Sequence, residues 1–387
     1  MKRAVGKTID LFLIIALVVV AAFIFVNRVF KQVNRIDRVN ISISSQCGDL
    51  FGVDLVNALI QEFEAQNPDL RIQMTSQENA DIVFFNEGEF NSLLEMSALA
   101  SLAPYIYTET QEGHRIDHWA LPLLSFMDIF LYNIDILQAA QCDRPPKTRA
   151  EFLAAAKAVA GKKSAAPDEV HLPFALGLSP ADPLALRRDF YPWIWMDGGE
   201  LQLAGTDDNP ALPRVVTNTI TFFGQLHREG LLAPDTFEKT GQMRLKEFAE
   251  GNIAMMTASS QDIPFLRHNA RDVNFGITTI PATVQGKNRL GLLSIYAGIN
   301  SACALPDEAW MFLAFIAGKS PILAQTLGAV PGSSPNAFPG EYIVQDPLYS
   351  KAWEIFEAAE IAKGPGQPLN AEIERIIREK LEEVFTP

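Results

Sequence analysis

PPKTRAEFLAAAKAVA, residues 145–160, opens a run of four short blocks that decides the reading of this chain. WIWMDGGELQ (193–202), FFGQLHREGLLAP (222–234) and FAEGNIAMM (248–256) follow it in order. Thr148 stands three residues before Glu151, so hydroxyl and carboxylate can each satisfy an orphan amide at a helix start. That spacing predicts a helix running to Ala160. Asp182 followed by Pro183 reads as a second start and Gly198-Gly199 as its stop. A third helix is predicted from about Leu212 to Glu229, ending at Gly230. If Pro183 to Met196 is one helix, Leu186, Phe190, Trp193 and Ile194 share a core face, while Arg188, Tyr191 and Trp195 recur on another stripe suited to a wet cleft. No block is specific alone; their order is the signal.

Outward from these blocks the chain keeps the same grammar. VNISIS, within a strand predicted over Arg38 to Ser45, alternates as a half-buried strand does. A helix from about Val53 to Ala65 follows, with Val53, Val56, Leu59, Ile60 and Phe63 as its apolar stripe. Strands over Arg71 to Ser76 and Ala80 to Asn86 come next, separated by only a few residues. Asp307 to Ala317 and Asn370 to Phe385 supply two later helices, and Gly364 to Pro368 is the clearest loop. Strand, helix and strand in alternation is an α/β pattern.

With 387 residues the chain exceeds one ordinary core, so two lobes are expected. A hydrophobic fraction of 48% against 20% charged is that of a folded protein. The net charge of −14 argues against a nucleic-acid partner, which needs a basic face. Leu11 to Val26 (LFLIIALVVVAAFIFV) is uninterrupted and apolar, preceded by Lys2, Arg3 and Lys7 and followed by Arg28, Lys31, Arg35 and Arg38. A helix needs about 20 residues to cross a bilayer, and ~17 suffice, so this run can span if Asn27 and Arg28 snorkel. A cleaved secretory signal competes with an uncleaved anchor. The stretch after Val26 offers neither a small-residue cleavage site nor a lipoprotein cysteine, which favours the anchor. The three cysteines, Cys47, Cys142 and Cys303, allow at most one disulfide.

Together the four blocks resemble the second half of the family 1 extracellular solute-binding proteins, the group typified by maltose-binding protein. Leu121 to Asn133 (LPLLSFMDIFLYN) looks like the strand that crosses between the lobes of that family. FGITTIPA (275–282) and LGLLSIYAGINSACALPDEAWMFLAFI (290–316) resemble the return into the first lobe, and LGAVP (327–331) finishes the pattern. The resemblance implies a two-lobed periplasmic-binding-protein-like fold of type II with a central cleft, preceded here by one N-terminal transmembrane helix. It divides the chain into an anchor and tether (1–38), a first lobe (39–127 and 262–328) and a second lobe (128–261 and 329–387). The link between the strands at 71–76 and 80–86 is shorter than the helix the family usually inserts there.

What the resemblance implies for the site is a set of groups around the cleft. Gln46 and Asp49 follow the first strand, and Phe85, Asn86 and Glu87 follow the strand of Asp81. Ser125 and Phe126 sit before the crossing strand, at a position that in maltose-binding protein holds a ligand carboxylate. Arg188, with Tyr191 and Trp195 on its stripe, occupies a ligand-stacking position, and Gln261 stands where a stacking Trp is usual. Such carboxylates, amides, arginine and aromatic faces are what hydroxyls and the apolar face of a sugar ring require. The implied function is capture of a sugar or polyol by hinge closure and its delivery to the transmembrane subunits of an ABC permease. The chain would act as a monomer, held to the membrane by its single span, with its binding domain outside the cytoplasm. A membrane-anchored sensor feeding a signalling partner, or a binder of an anionic or ferric solute, is the alternative.

No catalytic residue, cofactor or metal is expected. His114 and His118 stand four apart but lack a zincin's glutamate, and Gly161-Lys162-Lys163-Ser164 lacks the earlier glycine of a phosphate loop. There is no Gly-x-Ser-x-Gly elbow and no dinucleotide fingerprint.

Overall fold

The computed structural model describes residues 38–385 apart from 77–78, 87–88, 107–117, 163–170, 183, 202–203, 207–208, 285–287, 333–345 and 363–370. The apolar run at 11–26 lies outside the described residues, as do Glu87, His114 and the loop at 364–368. No helix among the described residues is long and apolar enough to cross a membrane. No disulfide joins the three cysteines.

Thirteen strands are present in the described residues. In chain order they are β1 (Val39–Ser44), β2 (Leu70–Thr75), β3 (Ile82–Asn86), β4 (Leu121–Asn133), β5 (Leu172–Ala175), β6 (Ala204–Thr206), β7 (Asn209–Ala211), β8 (Ile253–Ser259), β9 (Phe275–Thr278), β10 (Arg289–Leu290), β11 (Leu292–Ile299), β12 (Val330–Pro331) and β13 (Glu360–Ile361). Nine of them join in one sheet whose main path runs β2-β1-β3-β11-β4-β8-β5, with β9 and β12 also paired to β4.

β1 buries Ile41 and Ile43 on one face, as its alternation requires. β2 lies parallel to it, and the Val53–Gln66 helix crosses between them with Val56, Leu59 and Phe63 buried. Val53 was expected on that stripe but is 54% exposed, because it is the first helical residue after Gly52 and precedes the packed turns. Parallel strands ordinarily need a crossover of a dozen residues or more. Here residues 76–81 suffice, since β3 picks up only where β1 ends, at the Ile43–Ile82 pair. Asp81 fixes that junction by accepting from the Ser42 amide at 2.8 Å and its hydroxyl at 2.6 Å.

β4 is the element that joins the halves. Its first part pairs antiparallel with β11 over Leu121–Met127; its second pairs with β8 over Asp128–Tyr132 and with β9 over Phe130–Asn133. Leu123, Leu124 and Phe126 pack in one hydrophobic core with Ile41, Phe63 and Phe312, whereas Met127, Ile129, Phe130 and Leu131 pack in another with Phe152, Trp193 and Phe223. The two cores make the mixed α/β, two-lobed architecture, and β4 passes from one to the other between Phe126 and Met127. The expected division gave residues 262–328 to the first lobe. Ile263, Leu266, Ala270, Ile277, Ile280, Ala282 and Leu290 pack instead in the second core, because β9 pairs with the second half of β4. The return to the first core comes with β11.

The Thr148–Glu151 capping box is present at the start of the Arg149–Gly161 helix. The helix predicted over 183–196 is broken. It forms two short helices, Ala185–Asp189 and Tyr191–Met196, that meet at Phe190. Pro192 has no amide to give the preceding turn and its ring opposes continuation, so the helix restarts around it. The face assignment changes with the break: Tyr191, expected on a wet stripe, is fully buried and donates to Glu374 at 3.0 Å.

Candidate functional site

A cavity of about 330 Å³ opens where the two cores meet. From the strands it takes Phe126 and Asp128 of β4, Leu293 of β11 and Ser259 at the end of β8. The second lobe adds Leu184, Arg187 and Arg188 around the Ala185–Asp189 helix, Gln242 at the start of the Gly241–Ala249 helix, and Gln261, Asp262 and Phe265 beyond β8. Strand alternation places Phe126 and Asp128 on one face of β4, and the neighbouring Ser125 on the other.

Two ion pairs organise the polar side. Arg187 donates Nη1 to Asp128 Oδ1 at 2.8 Å and lays its guanidinium 4.4 Å above the Trp195 ring. Asp128 is 4% exposed, and burial lifts its carboxyl from 3.8 to about 6 against the pull of Arg187. Arg188 donates Nη2 to Asp182 Oδ2 at 2.6 Å and stands 3.8 Å from Asp189. Asp189 accepts the Gly177 amide at 2.8 Å; burial raises its carboxyl to about 7 in spite of Arg188. Asp262 caps the turn after β8 by accepting the Ser259 amide at 2.9 Å, and burial moves its carboxyl upward too.

Two glycines make room for these groups. A β-carbon on Gly241 would stand 1.8 Å from the Arg188 guanidinium, and one on Gly291 would stand 2.2 Å from Trp195 and 2.6 Å from Asp128 Oδ2. Any side chain at either position would force Arg188, or Trp195 and Asp128, to shift.

Of the residues singled out from sequence, Phe126, Arg188 and Gln261 line this cavity together. Trp195 lies beneath Arg187, 4% exposed, and reaches the cavity only through that guanidinium. Ser125 is fully buried, shares a 2.8 Å hydrogen bond with Ser294 and donates to the Gly332 carbonyl. Phe85 is buried in a separate small cluster, stacked between Phe90 and Tyr296. Gln46 is exposed after β1, and the Asn86 amide bonds Glu89 at 2.9 Å. The side chain of Asp49, like the whole of Glu87, lies outside the described residues. His118 stands outside the cavity, and no group of three His, Cys, Asp or Glu among the described residues is placed to hold an ion.

Sequence reasoning passed over Asp128, Arg187, Gln242, Asp262 and Phe265. Asp128 carried a readable signal, since it is the single charge in a thirteen-residue, otherwise nearly apolar strand. Buried charges are rarely left unpaired. Arg187 carried none, because its role depends on the helix break at Phe190.

Residues 51–352 match the bacterial extracellular solute-binding protein family. No match was found among curated proteins. Among solved structures, the sugar-binding protein MalE of the phytopathogen Xanthomonas citri superposes with a TM-score of 0.69 at 14% identity, covering 90% of this chain and 91% of that one. A chitin oligosaccharide binding protein gives 0.68 at 17% identity, over 91% and 96%. The cyclic alpha-maltosyl-1,6-maltose binding protein of Arthrobacter globiformis gives 0.65 at 17% identity, over 90% and 96%.

Proposed function

Since the chain belongs to the bacterial extracellular solute-binding proteins, by a match spanning residues 51–352, we propose that it captures a neutral sugar or polyol for an ABC importer. One observation carries this reading: a cavity at the junction of two lobes lined by paired arginines and carboxylates, side-chain amides and apolar faces. Charged donors and acceptors suit hydroxyls, and Phe126, Phe265 and Leu293 suit the C–H face of a ring. Both arginines are already partnered, Arg187 by Asp128 and Arg188 by Asp182. An anionic solute would find no unspent positive charge, which favours the neutral ligand over an acid. The sugar and oligosaccharide binders with similar folds support the same class. A volume of about 330 Å³ is at the small end of the ~300–1,000 Å³ usual for ligand sites, so one ring or a short saccharide fits better than a long chain.

Capture is by closure of a type II two-lobed fold about β4. A ligand touching both lobes only when they are shut stabilises that state by the contacts the open state lacks. The protein is a binding component and performs no chemistry. Its binding domain works outside the cytoplasm as a monomer, and Leu11–Val26 holds it as a single-pass anchor near the permease, which raises its effective concentration there.

A ligand at 100 times its dissociation constant adds about 2.7 kcal/mol of stability. Thermal-shift screening of the detergent-extracted full chain against monosaccharides, disaccharides and polyols should therefore give clear upward shifts. Shifts from organic acids or ferric ion with none from sugars would overturn the carbohydrate assignment.

A further inference from the structure

The cavity is two-sided. Every hydrogen-bonding side chain that lines it comes from the second lobe: Asp128, just past the crossing point, with Arg187, Arg188, Gln242, Ser259, Gln261 and Asp262. The opposite wall is the cross-strand pair Phe126 and Leu293, directly opposed in the β4–β11 register. The next pair along, Ser125 and Ser294, is polar, but strand alternation turns it to the other face. There the two hydroxyls bond each other and the Gly332 carbonyl, leaving them nothing to offer the cavity. Asp128 shares the face of Phe126, yet one of its oxygens is taken by Arg187 and the other is buried against the position of Gly291. Among the described residues, then, the β4–β11 wall presents carbon alone.

A hydroxyl pressed against such a wall loses water and gains no partner, which opposes binding. A methyl group there gains burial. We propose that the solute of this cavity is a 6-deoxy sugar, its methyl against Phe126 and Leu293 and its hydroxyl edge toward Arg187, Arg188 and the two glutamines. The inference rests on the carbohydrate reading and narrows it to a substrate class.

Calorimetric titration of the full chain with matched pairs tests it: L-rhamnose against L-mannose, L-fucose against L-galactose, and 6-deoxy-D-glucose against D-glucose. At least one deoxy sugar should bind ten times or more tighter than its hydroxylated parent. Leu293→Gln, at a half-buried position, should reduce or reverse that preference by giving the hydroxyl a partner. Phe126→Gln should act in the same direction, with circular dichroism checking that this more deeply buried variant folds. Parents that bind as well as the deoxy sugars in the wild type overturn the inference and leave the carbohydrate reading intact. A preference that survives Leu293→Gln also overturns it, since the wall would then not be its source. Silence from all six monosaccharides overturns the deoxy-sugar inference, while the carbohydrate reading stands or falls separately on the screen with disaccharides and polyols.

Discussion

Trp193 and Trp195 stand two residues apart on one short helix, are both buried, and each has an arginine over its ring and an aspartate beside that arginine. Arg149 lies 5.7 Å from the Trp193 ring and 5.1 Å from Phe222, and pairs with Asp197 at 2.9 Å. Arg187 lies 4.4 Å from Trp195 and pairs with Asp128 at 2.8 Å. What separates them is where the remaining donors go. Arg149 gives further hydrogen bonds to the Trp193 carbonyl and Thr219, both at 3.0 Å, and so ties three elements of one core. Arg187 lines the cavity. Burial alone does not distinguish a structural tryptophan from a site tryptophan; the direction of its partner's spare hydrogens does.

The largest break in this comparison should come from Trp193→Ala. The ring is fully buried, packs edge-on against Phe130, Phe152, Phe174 and Phe223, and donates its indole N–H to Thr257 at 3.0 Å. Truncating a core residue of this size costs about 3–5 kcal/mol. Urea unfolding should record that loss while calorimetric affinity of the folded fraction stays near wild type. Gly291→Ala tests the other triad. With no space for a β-carbon between Trp195 and Asp128, the overpacking should cost about 1–3 kcal/mol and weaken ligand binding as well, because Arg187 must move. Normal affinity in this variant would show that the Trp195 triad does not shape the site.

A third, smaller effect tests the buried carboxyls beside Arg187 and Arg188 by pH. Asp128, held near 6, and Asp189, near 7, keep protons in the folded chain that an unfolded carboxyl near 3.8 has released. The folded state binds more protons in that window, so stability falls as pH rises from about 4 through 6 for Asp128 and on to 7 for Asp189. The slope is at most about 1.4 kcal/mol per pH unit for each group. Unfolding free energies at pH 5, 6 and 7 should decline, and Asp128→Asn and Asp189→Asn should each flatten the decline. An unchanged slope in both variants would mean that these carboxyls ionise normally.

The outline of the fold was legible where local chemistry decides it. The capping box of Thr148 and Glu151 marks a helix start without help from the rest of the chain, and β4 spans Leu121–Asn133 as the family resemblance implied. Reading failed where distant contacts decide. Pro192 was visible, but whether it bends or breaks a helix depends on what Phe190 and Tyr191 pack against. Ile263 to Leu290 join the second core through a strand pairing that no local pattern announces. At the site, the resemblance pointed to Arg188 and Gln261, which do line the cavity. Arg187 was out of reach because the stripe computed on an unbroken helix pointed elsewhere, and Asp128 was missed although a lone charge in an apolar strand is a signal in itself.

The smallest expected effect sharpens the comparison most, because it keeps charge and changes only shape. Lysine at either arginine position retains the ion pair but loses the flat guanidinium and its fork of donors. Arg149→Lys swaps the Nη2 that reaches Asp197, the Trp193 carbonyl and Thr219 for a shorter, tetrahedral ammonium, which disturbs two core hydrogen bonds worth about 1 kcal/mol each and loses part of the contact with two rings. Arg187→Lys keeps its bond to Asp128 and gives up little beyond the stack on Trp195, about 0.5–1 kcal/mol. In unfolding experiments the first substitution should therefore cost more than the second. Ligand affinity should rank them the other way, with Arg149→Lys near wild type and Arg187→Lys weakened several-fold by loss of donors facing the cavity. If Arg187→Lys leaves affinity unchanged, its spare hydrogens do not meet the ligand, and the two triads differ in location alone.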